Sequence, residues 1–497
     1  MAVPEDIRKI ERPKNTVIYS YGKNKDKYIV KQRIGCKYKN GRRIPVNGST
    51  VGHIINGKYI PISENMPRRI TFLPIDIKDW AVIILCDLLF NDILNELKTV
   101  YCEKDSITIY CIAILRVCYK GIKDCELKEA YDTSFLSELY PDVALSKNTV
   151  STFLNDLGKA FSRIVLFMQN RAEKVKIDHH LLIDGTLKSN EFNVNCLSNF
   201  SRKARIKGSR DISVIFAFDL ELMEPICSKC FPGNMLDATS YETFISENKI
   251  KQGIIVADKG FPSSAAEEQF INNPNLYYLN PIKRNSKFIE THNLHNYTGI
   301  LSGYENVVYR KEKCKGKDKW LYSYRDAKRA AIEEADWLRH AKENETFSND
   351  ELCKKQKSFG TVILESNVDL LPEVAYSAYD SRWEIEILMR YYKSACNFDE
   401  TRVQDDYSVL ATEFCDFLST ILNFRLLNKF REKELLDKMT YKKIMHILKC
   451  AKKAKLNDEW NLVKINPSQI EVLQKLNLLS NEQPEKRKRG RPKKRNV

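Results

Sequence analysis

The chain has 497 residues and a formal net charge of +16 at pH 7, because 81 Lys and Arg outnumber 65 Asp and Glu. The length allows several domains and a substantial core, which excludes a small disulfide-stapled peptide. The positive charge favours a polyanionic partner, and nucleic acid is the first candidate.

Two further classes are excluded by local patterns. The longest apolar run, WAVIILCDLLF, is far too short to span a bilayer, and no apolar stretch follows a basic one at the start of the chain. The close pair Cys227 and Cys230 has no second CxxC that would complete a zinc site. We therefore expect a soluble, cytoplasmic protein with reduced thiols and no membrane partner.

The first region, residues 1–75, is predicted to be a β-hairpin arm. Its β-rich runs, TVIYSY, KYIVKQRI and VGHIINGKYIPI, are accompanied by Asn-Gly turn signals at residues 40–41 and 56–57. Lys and Arg are dense throughout. Two interpretations are open: an arm that contacts DNA, or a solvated sheet.

Residues 76–173 have helical periodicity and form the predicted helical DNA-binding region. Ser146 is the expected N-cap of a helix whose apolar stripe leaves Lys147, Asn148 and Ser151 facing outward. Short polar side chains at a helix start suit the major groove, which indicates a possible helix-turn-helix. The alternative is a helical pair of the kind found in many proteins that never touch DNA.

Residues 174–283 alternate between buried strands and helices. The segment HHLLIDGT predicts an apolar strand that ends on Asp184, and GIIVADKGF one that ends on Asp258; each aspartate is followed closely by a Gly. Either one alone could be a turn or helix cap, but α/β sheets place their chemistry at strand ends, so the repeated pattern predicts a site. Asp219 and Asp237 do not repeat the pattern and rank lower.

Residues 284–357 interrupt this alternation with a small β unit and a charged helix, which we predict to be an insertion. Basic residues alternate there with Tyr309, Trp320, Tyr322 and Tyr324. The aromatic rings could stack on nucleic-acid bases, or they could form the core of the insertion.

Residues 358–410 resume a buried strand and bring the segment YDSRWEIEILMRYYK. At 3.6 residues per turn, one phenol, one acid and two bases of this segment share a narrow arc, whereas Glu384 faces the other side. The spacing alone permits a solvated face with an ordinary ion pair. The four residues in the arc are Tyr379, Arg382, Glu386 and Lys393.

The chain ends in a predicted helical region, residues 411–480, and a basic tail, residues 481–497. Its run RKRGRPKKR is expected to bind DNA phosphates. An extended Arg-Gly-Arg fits the narrow minor groove of A·T tracts, so the tail is either an AT-hook or a generic basic tail. The hook residues would be Arg489, Gly490, Arg491 and Pro492.

Together, Asp184, Asp258 and Glu386 resemble the DDE triad of a bacterial insertion-sequence transposase. The spacing Tyr-x2-Arg-x3-Glu-x6-Lys is similar to the signature of one large group of these enzymes, and it is complete here. IDGT, PGN at residues 232–234, ADKGF and the dipeptide RW add to the resemblance, which covers roughly residues 174–402.

This resemblance implies an α/β fold: a ribonuclease-H-like catalytic domain interrupted by a β-rich insertion, with helical regions on both sides. It also implies that Asp184, Asp258 and Glu386 hold two Mg²⁺, for which Mn²⁺ can substitute, with Asp184 bridging the ions. Hard divalent cations prefer such oxygen ligands, and two of them can serve both strand cleavage and strand transfer.

Further roles are implied by the same resemblance. Tyr379, Arg382 and Lys393 would contact the transposon end, and Trp320 is the candidate for holding a flipped base. The partners would be double-stranded DNA, as terminal inverted repeats and as target, and a second copy in a homodimeric paired-end complex. The location would be the bacterial cytoplasm, in association with the nucleoid.

Three other functions compete with transposition. One is a metal-dependent DNA nuclease that cleaves without joining. Another is a catalytically silent, transposase-derived DNA-binding protein, against which the intact triad argues. The third is a chromatin-like binder that uses only its basic tail, which would leave the two aspartate-bearing strands unexplained.

Overall fold

A computed structural model of the chain gives its architecture as two compact units, residues 1–76 with 455–459 and residues 77–454 with 460–497. The residues that the structure describes are 3–21, 27–39, 41–62, 76–190, 196–201, 208–235, 237–258, 261–314, 316, 318–382, 400–401 and 403–479.

The first unit is a small antiparallel sheet with a one-turn helix before it. Its elements are α1 (Glu5–Arg8), β1 (Thr16–Tyr21), β2 (Lys27–Lys39), β3 (Arg42–Ile55) and β4 (Lys58–Pro61). The strands pair in this order, and Ile18, Val30 and Ile54 form the buried core of the unit. Asn56 and Gly57 both have positive φ angles, 48° and 72°, as the tight turn between β3 and β4 requires.

The second unit begins with helices. Its first elements are β5 (Ile77–Asp79), α2 (Ala81–Lys98), α3 (Glu103–Cys118), α4 (Leu127–Asp132), α5 (Leu136–Leu139), α6 (Lys147–Lys159) and α7 (Phe161–Ala172). Residues 109–115 of α3 are all fully buried, so α3 is a central helix of the core. Among the described residues, no helix has both the length and the apolar character needed to cross a bilayer.

A large mixed sheet follows and carries the site. Its strands and the helices between them are β6 (His180–Ser189), β7 (Asn199–Phe200), β8 (Arg210–Asp219), β9 (Glu224–Pro232), α8 (Asp237–Glu247), β10 (Gln252–Ala257), α9 (Glu267–Asn272), β11 (Asn275–Pro281), α10 (Lys287–Thr291), β12 (Gly299–Ile300), β13 (Val307–Lys313), β14 (Trp320–Asp326), α11 (Ala327–Glu343), α12 (Asn349–Gln356) and β15 (Thr361–Ser366). In the described part of the chain, ten strands pair in the order β12-β13-β14-β15-β11-β10-β6-β8-β7, with β9 also on β8.

The strand directions divide this sheet into a mixed centre and an antiparallel extension. β6 and β11 are parallel to β10, whereas β8 is antiparallel to β6 and β9 is antiparallel to β8. β12, β13 and β14, which lie in the predicted insertion, continue the same sheet through β15 by antiparallel pairing. The fold is therefore mixed α/β, built on one large sheet.

After a helical segment at residues 372–382, the chain ends in a helical part with a small hairpin. Its elements are α13 (Asp406–Glu432), α14 (Tyr441–Cys450), β16 (Lys452–Leu456), β17 (Glu459–Leu462) and α15 (Pro467–Lys475). Residues 411–424 of α13 are all buried, because this helix packs against α3, α6 and β9. α13 thus joins the helical region to the sheet in one core.

Candidate active site

The two predicted aspartates lie side by side where the parallel pairing of β6 with β10 ends. Asp258 directly follows β10, but Asp184 is the fifth of the ten residues of β6, so the prediction that this strand ends on Asp184 is wrong: its pairing with β8 continues to Ser189. β6 and β10 are parallel, and their register pairs Ile183 with Ala257. Asp184 and Asp258 follow these residues, so their side chains leave the same face of the sheet on strands about 5 Å apart. Asp184 is half-buried and Asp258 is exposed, and Asp184 Oδ1 accepts a hydrogen bond from the Gly185 amide at 2.9 Å. The fold thus brings two predicted acids together within reach of solvent.

Arg382 adds a positive charge to this acid pair. Its Nη1 donates to Asp258 Oδ1 at 2.6 Å, and its guanidinium carbon lies 5.2 Å from the centre of the Tyr379 ring, in a cation–π contact. The Arg382 side chain is 17% exposed, whereas the Asp258 side chain is 51% exposed. One residue of the predicted helical arc, Arg382, therefore contacts Asp258, and a second, Tyr379, packs on Arg382.

Two tyrosines of β14 hold the start of the helical segment 372–382. The Tyr324 hydroxyl donates to the Pro372 carbonyl at 2.8 Å. The Tyr322 hydroxyl donates to the Leu370 carbonyl at 3.2 Å and accepts from the Leu370 amide at 2.8 Å. Burial raises the pKa of Tyr322 to about 12, so this phenol stays protonated and able to donate. β14 therefore fixes the point from which the helical segment reaches the acid pair.

Several predicted site residues lie outside the described part of the chain. The third acid, Glu386, and the predicted DNA contact Lys393 belong to residues 383–399. The predicted AT-hook belongs to residues 480–497. The roles assigned to these residues stay predictions.

The predicted recognition residues are exposed at the start of α6. The Ser146 hydroxyl accepts from the Thr149 amide at 3.4 Å and so caps the helix, as its position predicts. Lys147, Asn148 and Ser151 all reach solvent. The helix before α6, α5, has only four residues, so α6 is not preceded by a full-length partner helix.

An open groove of about 640 Å³ lies beside α6. Its lining includes Asn148, the acids Asp105 and Asp156, and Arg163. Carboxylates repel phosphate, so this groove is a poorer fit to a DNA backbone than the exposed helix start.

Trp320 begins β14 with a half-buried ring beside two cations. Lys311 Nζ lies 4.7 Å and Lys313 Nζ 5.6 Å from the ring centroid. By contrast, Tyr322 and Tyr324 are fully buried. Core packing therefore accounts for these two tyrosines, whereas the Trp320 ring stays partly accessible in a basic setting.

A second group of possible ligands, which we call the histidine end, lies at the start of β6. Among the described residues, His179, Asp219 and Glu221 offer ligand atoms that all lie within 4.8 Å of one another and could hold a metal ion. His179 Nδ1 lies 2.6 Å from Asp219 Oδ2, and Asp219 Oδ1 accepts from two backbone amides at 3.0 and 2.9 Å. His180 Nδ1 lies 2.7 Å from Glu221 Oε1.

The histidine end is separate from the acid pair. The register of β6 with β8 places Asp219 opposite Leu181, three residues before Asp184. Burial opposes ionisation of Glu221, but the hydrogen bonds from His180 outweigh it and lower the pKa of Glu221. Residue patterns rank Asp219 below Asp184 and Asp258 and do not single out the histidines; the His-His pair directly before an apolar run is the available signal.

A buried charge network beyond Asp184 on β6 was also missed. Lys188 Nζ lies 2.6 Å from Glu413 Oε2 and 3.0 Å from Asp416 Oδ2, and Arg116 Nη1 donates to Asp416 Oδ1 at 2.9 Å. Asp416 and Glu413 raise the pKa of Lys188 although its burial opposes this. The network ties β6 to α13 and α3, and a lysine at an alternating strand position carries no sequence signal for such burial.

The chain also returns to β6 just after residues 383–399. The Thr401 amide donates to the Ser189 carbonyl at 2.9 Å, and the Thr401 hydroxyl donates to Glu413 Oε1 at 2.6 Å. Both flanks of that segment are therefore anchored, one at Asp258 and the other at the far end of β6.

The chain is similar to one family model and to solved structures of two transposases. Residues 178–409 match the family model described as the transposase DDE domain. The cryo-EM structure of the piggyBac transposase synaptic complex with hairpin DNA is similar at 13% identity and a TM-score of 0.39, covering 74% of this chain and 79% of that chain. The Mos1 transposase paired-end complex with left transposon end is similar at 17% identity and a TM-score of 0.15, covering 32% of this chain and 58% of that chain. No curated protein matches the sequence.

Proposed function

We propose that this protein is a DNA transposase of the DDE type, which cuts DNA at the ends of an insertion sequence and joins the freed ends to target DNA at a two-metal site. The observation that supports this most directly is the pair of adjacent carboxylates, Asp184 and Asp258, on neighbouring parallel strands. Glu386, four residues after Arg382 in the sequence, is the proposed third acid.

The residues present fit divalent cations. Asp184 and Asp258 are solvent-accessible oxygen donors on adjacent strands, and Mg²⁺ needs few protein carboxylates because it keeps several waters. Two Mg²⁺, replaceable by Mn²⁺, are the proposed ions, and Asp184, Asp258 and Glu386 would hold them. When bound, such a pair supplies activation of the attacking water or 3′-hydroxyl and stabilisation of the leaving 3′ oxygen.

Arg382 has a defined part in this proposal. Its guanidinium neutralises Asp258 through Oδ1, at 2.6 Å, which offsets the repulsion between two neighbouring carboxylates. A guanidinium also grips phosphate bidentately, so Arg382 can pass from the carboxylate to the DNA backbone when a substrate enters. Tyr379, which packs on the guanidinium, orients it for both partners.

The remaining DNA contacts are proposed from exposure and charge. Lys393 would grip phosphate near the triad, and Lys147, Asn148 and Ser151 would approach base edges. Trp320, flanked by two lysines, would hold an unstacked base. The basic tail at residues 489–492 would bind the minor groove as an AT-hook.

The finer identity of the enzyme is proposed on the same grounds. The strands β9, β8, β6, β10 and β11 would be the ribonuclease-H-like core, with β12–β14 as the β-rich insertion and helical regions on both sides. The complete Tyr-Arg-Glu-Lys spacing supports the bacterial insertion-sequence group that it resembles, working in the cytoplasm at the nucleoid. A homodimer would hold paired element ends.

The test is an assay of cleavage and joining. The purified chain is incubated with Mg²⁺, a plasmid target and labelled duplexes that carry the sequences flanking its own coding region. We expect cut ends followed by strand-transfer products, because a freed 3′-hydroxyl can attack at the same site. Cuts without joined products would indicate a nuclease, and band shifts without cuts a silent DNA-binding protein.

Matched variants assign the residues. Asp184→Ala, Asp258→Ala and Glu386→Ala should each abolish cutting and joining while leaving end binding largely intact. Glu384→Ala, two residues from the proposed third acid, is the control and should stay active. Near-normal joining by any of the three alanine variants would remove that residue from the triad.

A further inference from the structure

We propose that the outer part of the β2–β3 hairpin, residues 32–38 and 41–45, inserts into the major groove of duplex DNA. We call these residues the distal ribbon. The inference deepens the proposed function by assigning a DNA-reading surface in the first unit, away from the residues of the proposed catalytic site in sequence.

The distal ribbon has no protein layer on either face in the described part of the chain. Side chains of a strand alternate between two faces, so a covered sheet buries every second residue. Every residue of the distal ribbon is exposed instead, including Ile34 at 71% and Tyr38 at 75%. The small core of the unit, around Val30, lies before the ribbon begins. A two-stranded ribbon is marginally stable by itself, which favours a partner that covers it.

The charge of this region selects a polyanion as that partner. Residues 27–63 contain eight Lys and Arg and no Asp or Glu. Neutralising phosphates with such cations releases counterions, which is the main source of affinity for nucleic acid. A hairpin without a single carboxylate therefore complements DNA better than it complements a surface of mixed charge.

The cations lie on both faces of the distal ribbon. The register pairs Lys37 with Ile44 and Tyr38 with Arg43, so Lys37 and Arg43 point to opposite faces. On one face, Arg33 and Arg43 border an open groove of about 530 Å³. Arg43 is held there by a hydrogen bond from its Nε to the sulfur of Cys36 at 2.9 Å.

This arrangement suits a groove better than a flat surface. A flat anionic surface would meet one face only, whereas a DNA groove has a phosphate backbone on each side. The major groove, about 12 Å wide, admits a two-stranded ribbon, and apolar side chains there contact thymine methyl groups. Ile34 and Tyr38 are exposed apolar groups of that kind.

The first experiment measures the salt dependence of duplex binding by the full chain without divalent ions. The variant Arg33→Ala/Lys37→Ala/Arg43→Ala should lower the slope of log Kd against log salt by about 2 to 3, since each phosphate contact contributes about 0.9. The control Arg339→Ala/Lys342→Ala/Lys354→Ala removes three exposed cations of α11 and α12 and should change the slope by less than about 1. Equal slopes for the two variants would overturn the proposal.

The second experiment locates the groove by methylation protection. Guanine N7 lies in the major groove and adenine N3 in the minor groove. We expect guanine N7 protections that disappear in the ribbon variant and return when Arg33→Lys/Lys37→Arg/Arg43→Lys keeps the charges. Loss of adenine N3 protection alone would overturn the major-groove assignment. A variant that alters self-association of the DNA-free protein but not DNA binding would show that a second copy covers the ribbon.

These outcomes are independent of the proposed catalytic site. Asp184→Asn should bind duplex DNA with the unaltered slope, because the distal ribbon does not use the acid pair. If joining fails but the ribbon variant lowers the salt slope as expected, the proposed function alone is rejected. If joining succeeds but the ribbon variant leaves the salt slope unaltered, the assignment of the distal ribbon alone is rejected.

Discussion

The start and the middle of β6 lie beside carboxylates in opposite conditions. At the histidine end, Asp219 is fully buried, and His179 and two backbone amides occupy its oxygens. In the middle of β6 and just after β10, Asp184 and Asp258 reach solvent, and a contact that neutralises Asp258 comes from a helical segment 124 residues further along the chain. The oxygens of Asp219 have partners in the segments that adjoin β6 and β8, whereas Asp184 and Asp258 are accessible to a substrate from solvent.

This difference shows why the distance between possible ligands is a weak guide to a catalytic site. The histidine end has the tighter cluster, with ligand atoms within 4.8 Å. Its Asp219, however, is closed to substrate. A phosphodiester must approach the acids that act on it, which favours the exposed pair. The same reasoning separates structural carboxylates from catalytic ones elsewhere in the chain.

The largest effect should come from neutralising the exposed pair. Asp184→Asn or Asp258→Asn should reduce strand cleavage by about 10⁴-fold or more, as removal of a central catalytic group does. The midpoint of thermal unfolding should move little, because these side chains are not part of the core. Cleavage of a labelled end duplex and a thermal melt measure the two quantities.

Metal binding gives a readout that does not depend on turnover. Calorimetric titration with Mn²⁺ should show weakened binding for Asp184→Asn and unaltered binding for Asp219→Asn. The opposite pattern would place the principal metal site at the histidine end and reverse the comparison.

The next largest effect is expected from the buried network on β6. Lys188→Met leaves Glu413 beside Asp416 without its cation, and an unpaired buried charge costs about 3–5 kcal/mol. Burial already raises the pKa of Glu413, so part of this cost would appear as proton uptake. Urea unfolding measures the loss. Lys176→Met, an exposed lysine of the same chain segment, is the control and should cost less than about 0.5 kcal/mol.

A loss of less than about 1 kcal/mol for Lys188→Met would contradict the network. It would mean that Arg116, which donates to Asp416 at 2.9 Å, neutralises the buried acids by itself.

A smaller effect is expected at the histidine end. Asp219→Asn weakens a charge-assisted hydrogen bond to His179 inside the core, which should cost about 1.5–3 kcal/mol of unfolding free energy. Cleavage per folded molecule should be retained, because Asp219 lies three register positions from Asp184. Asp178→Asn, at a neighbouring exposed position, is the matched control for stability. Full stability with lost cleavage would assign the histidine end to catalysis.

The sequence predicts a feature when residues that are close together in the chain produce it. An apolar run followed by Asp and a nearby Gly is a short pattern, so Asp184 and Asp258 could be selected without a structure, although β6 continues past Asp184 to Ser189. Helical spacing indicated that Tyr379 and Arg382 share a face. The strand register that makes the two acids neighbours, and the meeting of Arg382 with Asp258, depend on pairing between distant segments that no local pattern contains.

The buried charge network on β6 and the joining of β12–β14 to the main sheet also depend on contacts between distant segments, and so the sequence does not predict them. Lys188 lies 225 residues from Glu413 and 228 from Asp416. A lysine is usually exposed, so its burial follows from tertiary packing alone. Likewise, the joining of β12–β14 to the main sheet requires the pairing of β14 with β15, which composition cannot specify. Residue types indicate that residues 284–357 interrupt the core, but they do not indicate that β12–β14 continue the main sheet.

The smallest effect is expected from a partly exposed structural carboxylate, Glu333 of α11. Burial opposes its ionisation, but hydrogen bonds from Arg284, from the Gly360 amide and from Arg329 together lower the pKa of Glu333 to about 2. Because this pKa lies below the ordinary value, the stabilisation is complete above about pH 5 and is lost as the pH falls towards 2. The side chain is a quarter exposed, so solvent screening limits the contribution to about 1–2 kcal/mol. Glu333→Gln should therefore lower the unfolding free energy by that amount at pH 7 and by progressively less at lower pH, as measured by urea unfolding from pH 7 to pH 3. A constant difference across this range would mean that packing, rather than the charge of Glu333, stabilises the contact between α11 and Arg284, and would remove Glu333 from the class of carboxylates that the fold itself neutralises.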